Sequence, residues 1–459
     1  MAENSTFCGG EPSWANACVG DNGQPDYFDY AQGFSAAANL LIKSVLENEG
    51  MDYPVDTFVY PICFNMRHSV ELRLKGVVDA MRRLSDYRSL LPKIDLQGTH
   101  DIGKIWSYIK VNSVLLDSRF AVFGEVLQGY IADIAAIDPT GQTFRYPDSN
   151  ENVRHLTDVA VINISVLSRR FVALEQLLDC FESFCDVIVT EYQWGTYTRV
   201  LSRAQFFDIA LRIPHRNHWS ETGFKLIVND IKRDYAISQR EFNKAVENIE
   251  NHYGMSQNMT PPPLRALTSF DLDLFVAASL QVSEERKGQS SESVESLDFD
   301  NISMLGDAFE SSKRVARKKS EVWEILRTEF GVEKVADLWA LYDCALVDYS
   351  EEYVVRYENK LRYLKARYRD DVENCLRGEM FDILSKNQVV SRILKALFFV
   401  GHRHEAEVLI TQYSLGGQLK WLEDARRGVA FVEPYRRALI NLVGVLGELA
   451  LRSTCEVGN

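Results

Sequence analysis

Long hydrophobic runs and paired cysteines are missing from this sequence of 459 residues. No stretch approaches eighteen uninterrupted apolar residues, so we expect no transmembrane helix. The first 26 residues lack a basic segment followed by an apolar run, which argues against a signal peptide. Eight cysteines are scattered without CxxC spacing, which argues against structural zinc. These absences together favour a reduced, cytoplasmic setting.

The familiar catalytic and nucleotide-binding motifs are also missing. The sequence contains no GxxxxGK[ST], GxGxxG, HExxH or GxSxG. This excludes the easily recognised nucleotide-binding, protease and esterase classes. We therefore predict no cofactor and no metal site.

The sequence also has fewer basic than acidic residues. Lysine and arginine number 51 against 65 acidic residues, and the net charge is −14. A protein that coats nucleic acid needs clustered cations to bind phosphates, so this balance argues against that class. A local basic patch on an acidic protein could still bind RNA.

What the sequence does have is helical periodicity. Apolar residues recur at helical spacing from Tyr27 onward, which predicts a mostly α fold: a helical bundle followed by a second helical region. We predict a disordered N-terminus at 1–26, a helical domain at 27–260, a Pro/Ser/Glu-rich linker at 261–320 and a C-terminal helical domain at 321–459. The linker begins at three consecutive prolines, and 282–301 has almost no apolar residues.

Several short signals mark where individual helices begin. Thr99 or Asp101 can cap a helix that contains Ile102, Ile105, Trp106 and Ile109 at apolar spacing. Two further helix starts carry the serine and the Glu or Gln of a capping box. These capping boxes are Ser202 with Gln205 and Ser238 with Glu241.

Two more segments are less regular. The segment 138–147 reads as an ordered loop, in which we expect Phe144 and Tyr146 to be buried. The segment 187–198 is either the end of a helix or a short strand.

Charged side chains form a ladder on the helix predicted at 61–84. Arg67, Glu71 and Lys75 follow one another at intervals of four, so they share one helix face. One interpretation is a solvated face with two weak ion pairs. The other is that Arg67 and His68 face a cleft and are held by Glu71, with Arg67 binding a phosphate and His68 transferring a proton. His100 is a further candidate, although a role in ordering its loop is favoured.

The segment 212–219 is the densest group of basic and imidazole side chains. It contains Arg212, Arg216, His218 and Trp219 around Pro214. One interpretation is a surface turn that Trp219 anchors in the core. The other is a phosphate or RNA contact, with Trp219 stacking on a base.

Two stretches of this sequence resemble HEPN-type helical domains of bacteria and archaea. The residues that carry the resemblance are Phe64–Lys75, with its Arg-His-x-x-Glu-Leu-x-Leu-Lys pattern, and Thr99–Trp106, with its His-Asp start. Phe144–Pro147 and Gly195–Thr198 are similar to features of the same group, and the likeness spans 27–252. It implies a helical bundle, often dimeric, in toxin–antitoxin or phage-defence proteins.

Many such proteins are RNases that pair an arginine with a histidine four to six residues later. Here Arg67 has a histidine directly after it, and the pair with five residues between is Arg212 and His218. We therefore take Arg212, His218, Arg67 and His68 as catalytic candidates. The substrate-binding candidates are Glu71, Lys75, His100, Arg216 and Trp219.

Two functions remain open from the sequence. The first is a defence-associated protein that binds RNA or a nucleotide. If this protein is an enzyme, the reaction that we expect is cleavage of RNA without a metal ion. The second is a non-catalytic HEPN-like scaffold or regulator that binds the protein of a neighbouring gene. For both we expect a homo-oligomer and no membrane.

Overall fold

The computed structural model describes residues 4–88, 98–148, 154–256, 259–287, 302–367, 372–428 and 430–456. The described residues form helices and contain no strand; one isolated bridge joins Asp148 to Arg154. This confirms the predicted mostly α class. Eighteen α-helices are present in the described part of the chain. They are α1 Tyr27–Glu47, α2 Val55–Arg88, α3 Ile102–Leu116, α4 Ala121–Val126, α5 Gln128–Ile137, α6 Ile164–Gln193, α7 Arg203–Arg212, α8 Thr222–Asp234, α9 Gln239–Glu250, α10 Ser269–Lys287, α11 Ile302–Leu326, α12 Val332–Cys344, α13 Glu352–Arg367, α14 Val372–Ser385, α15 Val389–Phe399, α16 Arg403–Gln412, α17 Leu422–Arg426 and α18 Pro434–Glu456.

The chain folds into two compact units. The first contains Met1–Arg199 together with Tyr435–Asn459, and the second contains Val200–Pro434. The units therefore divide at Val200, whereas the sequence suggested a boundary near residue 260. The region 261–320, interpreted from the sequence as a linker, includes α10 and most of α11, and these two helices pack against each other. Residues 288–301 of the same region lie outside the described residues.

Helix α2 is the central element of the first unit. It packs against α1, α3 and α6, and its apolar side, which includes Val70, Leu74 and Val77, is fully buried. Gly76 permits the close approach of α1, because a Cβ there would lie 2.6 Å from a ring carbon of Phe28. This packing buries one side of a helix that also carries the charged ladder.

The second unit has two apolar cores. Among the described residues of this unit, the smaller core joins α7, α8 and α9, and the larger one joins the helices from α10 to α17. Both predicted capping boxes are present, at Ser202 for α7 and Ser238 for α9.

No single helix in the described part of the chain is long and apolar enough to cross a bilayer. The segments Ser118–Val126 and Gln128–Ile137 meet the length and hydropathy requirement only when they are taken together, and they are bent by 55° relative to each other.

Local expectations in the first unit have mixed outcomes. Asp101 is the N-cap of α3, and its carboxylate accepts the Lys104 backbone N–H at 3.0 Å. The segment 187–198 contains a helix end, since α6 continues to Gln193. Tyr146 is 49% exposed, so its predicted burial is wrong. In the same loop Thr143 is buried and Phe144 is half-buried.

Candidate functional site

Three separate segments of the first unit meet at the charged ladder. Helix α2 supplies Arg67, His68, Glu71 and Lys75 from consecutive turns of one face. His100 is the residue before the α3 cap, and the turn after α5 supplies the backbone carbonyls of Asp138 and Pro139. The cap at Asp101 fixes where the chain enters α3 and so places His100 beside the ladder.

Arg67 is held entirely by groups of its own unit. Its side chain is 3% exposed, and its Nε donates to the carbonyl of Asp138 at 3.1 Å. Its Nη2 donates to the carbonyls of Pro139, at 2.8 Å, and His100, while Nη1 donates to the Glu71 carboxylate. Of the two interpretations of the ladder, the solvated face is therefore wrong. The bidentate phosphate contact is also unsupported, because these internal acceptors already occupy the fork of donors.

Glu71 is the centre of the cluster. Its side chain is 2% exposed, and its Oε1 lies 2.6 Å from Lys75 Nζ and 2.8 Å from His100 Nδ1. Its Oε2 binds Arg67 and lies 3.9 Å from His68 Nδ1. Burial alone would raise the pKa of Glu71, but hydrogen bonds from His68, Lys75 and His100 and the charge of Arg67 hold it well below its usual range. Glu71 is therefore a buried, ionised carboxylate at neutral pH.

His100 connects this buried carboxylate to solvent. Its side chain is 62% exposed although its Nδ1 is held by Glu71. A carboxylate bound to Nδ1 favours the tautomer with the proton on that atom, which leaves Nε2 basic. Lys75, 20% exposed, brings a positive charge to the same carboxylate oxygen. The arrangement can therefore accept a proton at Nε2 next to a cation.

His68 is a poorer candidate for proton transfer. Its ring lies edge-on to Phe34, with centroids 4.4 Å apart, and stacks on Phe64 at 5.6 Å. Its side chain is 27% exposed. The guanidinium of Arg145 lies 5.6 Å from the Phe64 ring centroid. These contacts favour a packing role for His68 at the edge of the cluster.

The second group of predicted residues lies in the other unit and forms separate pairs. Arg212 Nη2 donates to Asp234 at 2.8 Å, and Arg212 also lies 3.6 Å from Asp208. His218 Nδ1 lies 2.7 Å from Glu221, in a pair in which both side chains are more than half exposed. Arg212 and His218 thus each have their own carboxylate partners, and no contact joins them among the described residues. The structure does not support their assignment as a catalytic pair.

Trp219 anchors this surface turn, as the first interpretation predicted. Its indole N–H donates to the Pro214 carbonyl at 2.8 Å, and its ring stacks on Phe224 with centroids 4.9 Å apart. Arg216 lies over the same ring at 5.5 Å and pairs with Glu250 at 3.0 Å. Base stacking on Trp219 would have to displace these internal contacts.

The residues that sequence reasoning missed are the acceptors of Arg67. The carbonyls of Asp138 and Pro139 close the cluster, and Gly141, at φ +79°, lies so near that a Cβ there would be 3.1 Å from Arg67 Nη1. The sequence predicts an ordered loop over 138–147, but no local signal shows that it meets a helix more than 70 residues earlier. Across the described ranges, no group of three or more His, Cys, Asp or Glu side chains has the geometry to hold a metal ion.

Comparison with known proteins adds no relative. No protein-family model, no curated protein and no solved structure matches this chain. The arrangement around Glu71 therefore has to be interpreted from its own geometry.

Proposed function

We propose that this chain binds RNA in its first unit and cleaves it without a metal ion, with His100 as the acid–base group. The observation that carries the proposal is the buried Glu71 carboxylate, which lies 2.8 Å from Nδ1 of an exposed imidazole and 2.6 Å from Lys75. A role in bacterial defence is the part of the proposal that comes from the HEPN resemblance. The proposed site keeps Glu71, Lys75 and His100 from the sequence-based candidates and replaces Arg212 and His218.

The chemistry follows from the groups present. His100 Nε2 takes the proton of a ribose 2′-hydroxyl, and the 2′-oxygen forms a bond to the adjacent phosphorus. The bond from phosphorus to the 5′-oxygen breaks, and water protonates that oxygen. The products are a 2′,3′-cyclic phosphate and a 5′-hydroxyl. Lys75 stabilises the negative charge that builds up on the phosphoryl oxygens.

The test compares two histidines that each pair with a glutamate. The purified full chain is incubated with single-stranded RNA in excess EDTA, beside His100→Ala and His218→Ala. We expect His100→Ala to reduce the rate by about 10²–10⁴-fold, the usual contribution of a general acid–base group. His218→Ala should keep the original rate. Because the backbone carbonyl of His100 remains, its bond to Arg67 survives the substitution.

Three results would contradict the assignment or its mechanism. Cleavage by His100→Ala at the rate of the unchanged protein would remove His100 from the chemistry. Equal losses in both variants would point to a contaminating nuclease or a general effect. Ends that carry a 3′-hydroxyl in place of the cyclic phosphate would exclude the mechanism.

A second candidate function is a binding module without chemistry. The observation that favours it is Arg67, whose buried guanidinium donates to groups of α2, the α3 entry and the turn after α5 and so ties these segments together. Such an arginine stabilises a fold and needs no substrate. In this case the chain would bind a partner protein as a scaffold or regulator, and intact RNA would be recovered from the assay above.

A further inference from the structure

A cavity of about 370 Å³ lies in the first unit, beside the Glu71 cluster. Its walls come from α2, α5, α6 and the connection between α5 and α6. Most of the lining is apolar: Ile134, Phe144, Leu167, Phe171 and Leu174 are among the residues that form it. A concave, mostly apolar cavity walled by four segments has the shape of a small-molecule site, since a protein partner needs a broader and flatter surface.

The charged side chains in the cavity wall already have partners. Arg170 Nη2 lies 2.9 Å from the Asp133 carboxylate, and both residues line the cavity. Arg67 also lines it and binds Glu71. Arg170 and Asp133 are 51% and 72% exposed, so water screens their charges at the solvent side of the wall. Arg67 is 3% exposed and its charge is neutralised by Glu71, so a charged ligand among the deeper apolar side chains would be buried without a counter-charge, which is very unfavourable. The occupant that fits this wall is therefore uncharged.

The mouth of the cavity exposes apolar side chains to solvent. Val161 is 85% exposed and Val166 is 49% exposed, and both line the cavity. An apolar molecule that entered would remove part of their surface from water, which favours binding. At this edge the Asn163 Oδ1 accepts the Val166 backbone N–H at 3.0 Å.

We propose that this cavity is a binding site for an uncharged, largely apolar small molecule. The proposal is independent of RNA cleavage, because neither His100 nor Lys75 lines the cavity. Arg67 belongs both to this wall and to the Glu71 cluster, so a bound molecule would contact the residue that ties α2 to the turn after α5. Binding should therefore also stabilise the fold against heat.

The experiment uses N-phenyl-1-naphthylamine, a neutral apolar probe that fluoresces more strongly out of water. It is titrated into the full chain, into Val166→Asp and into Val111→Asp. Val111, on α3, is 61% exposed and does not line the cavity, so it controls for an added surface charge. We expect one saturable site per chain, and binding at least about tenfold weaker in Val166→Asp, because the new carboxylate would be partly desolvated by the probe. Val111→Asp should bind as the unchanged chain does.

Folding is checked on the same samples. Both substituted residues are exposed, so each variant should keep the helical circular dichroism and the melting temperature of the unchanged chain without probe. Saturating probe should then raise the melting temperature of the unchanged chain and of Val111→Asp, and raise that of Val166→Asp less.

Three results would overturn the proposal. They are the absence of saturable binding, equal binding in Val166→Asp and the unchanged chain, and equal weakening in the two variants. RNA cleavage plays no part in these readouts, so a failure here leaves the proposal for His100 to its own test.

Discussion

Two histidine–glutamate pairs in this protein have nearly the same length and opposite surroundings. His100 lies 2.8 Å from Glu71, whose side chain is 2% exposed, and His218 lies 2.7 Å from Glu221, whose side chain is 62% exposed. Both histidines are more than half exposed. The difference lies in the carboxylate, because only Glu71 is also surrounded by Arg67 and Lys75 inside the protein.

The comparison shows why distance alone does not define a site. Water screens an exposed ion pair, so the pair contributes little and its geometry is easily lost. A buried carboxylate with several donors keeps its position and its charge, and it orients the imidazole that it binds. The Glu71 cluster can therefore hold a proton-transferring group in place, and the pair in the second unit lacks that support.

The largest expected effect is the loss of stability on removing the buried charge. Glu71→Gln removes the nearer carboxylate partner of the buried Arg67 and leaves the Asp138 carboxylate, 3.9 Å from Arg67 Nε, which should lower the free energy of unfolding by about 3–5 kcal/mol. Glu221→Gln removes an exposed partner and should cost less than about 1 kcal/mol. Urea denaturation of both variants at pH 7 measures the difference. Similar values for the two would mean that burial of Glu71 does not distinguish the clusters.

Acid should reduce the contribution of the buried pair. Because the pKa of Glu71 is held well below its usual range, the unfolded chain binds a proton here more readily than the folded one. The stabilisation is complete above the ordinary glutamate value near pH 4.3 and falls below it by about 1.4 kcal/mol per pH unit. By pH 3 the difference between the unchanged chain and Glu71→Gln should have shrunk by about 2 kcal/mol.

Denaturation curves for this pair of proteins from pH 7 down to pH 3 provide the measurement. The subtraction of one curve from the other removes the contribution of carboxylates that the substitution leaves unchanged. A difference that stays constant over this range would show that Glu71 is not held in its ionised form.

The smallest expected effect tests how tightly the turn fits Arg67. Gly141 has φ +79°, and a Cβ there would lie 3.1 Å from Arg67 Nη1. Gly195 has φ +73°, and a Cβ there would meet no atom within 4 Å. Gly195→Ala should cost about 1 kcal/mol from backbone strain, and Gly141→Ala about 1 kcal/mol more, because the held guanidinium cannot move away. Equal urea midpoints would show that the turn has room beside Arg67.

Much of the local structure was predictable from short-range patterns. The α3 cap at Asp101 and the capping boxes at Ser202 and Ser238 depend on residues within three positions of each other. The turn at Trp219 was also anticipated, since Pro214 ends the helical pattern. These features need no knowledge of the rest of the chain.

The Glu71 cluster was only half predictable. Intervals of four placed Arg67, Glu71 and Lys75 on one face, but the same spacing occurs on solvated and on buried faces. Which one applies depends on Asp138 and Pro139, more than 70 residues later in the chain. The spacing of Arg212 and His218 in the sequence does not predict that each side chain pairs with a different carboxylate, Asp234 and Glu221, because those partners are set by the local packing.

The sequence by itself determined the helical class, the helix starts and the shared face of the ladder, because periodicity and capping act over a few residues. Only the tertiary structure decided which charged side chains are buried away from solvent. Burial of Glu71 required α2 to be covered by the α3 entry and by the turn after α5, and that covering is set by packing between distant segments. The chemistry that the site can perform therefore depends on the fold, although its residue types are visible in the sequence.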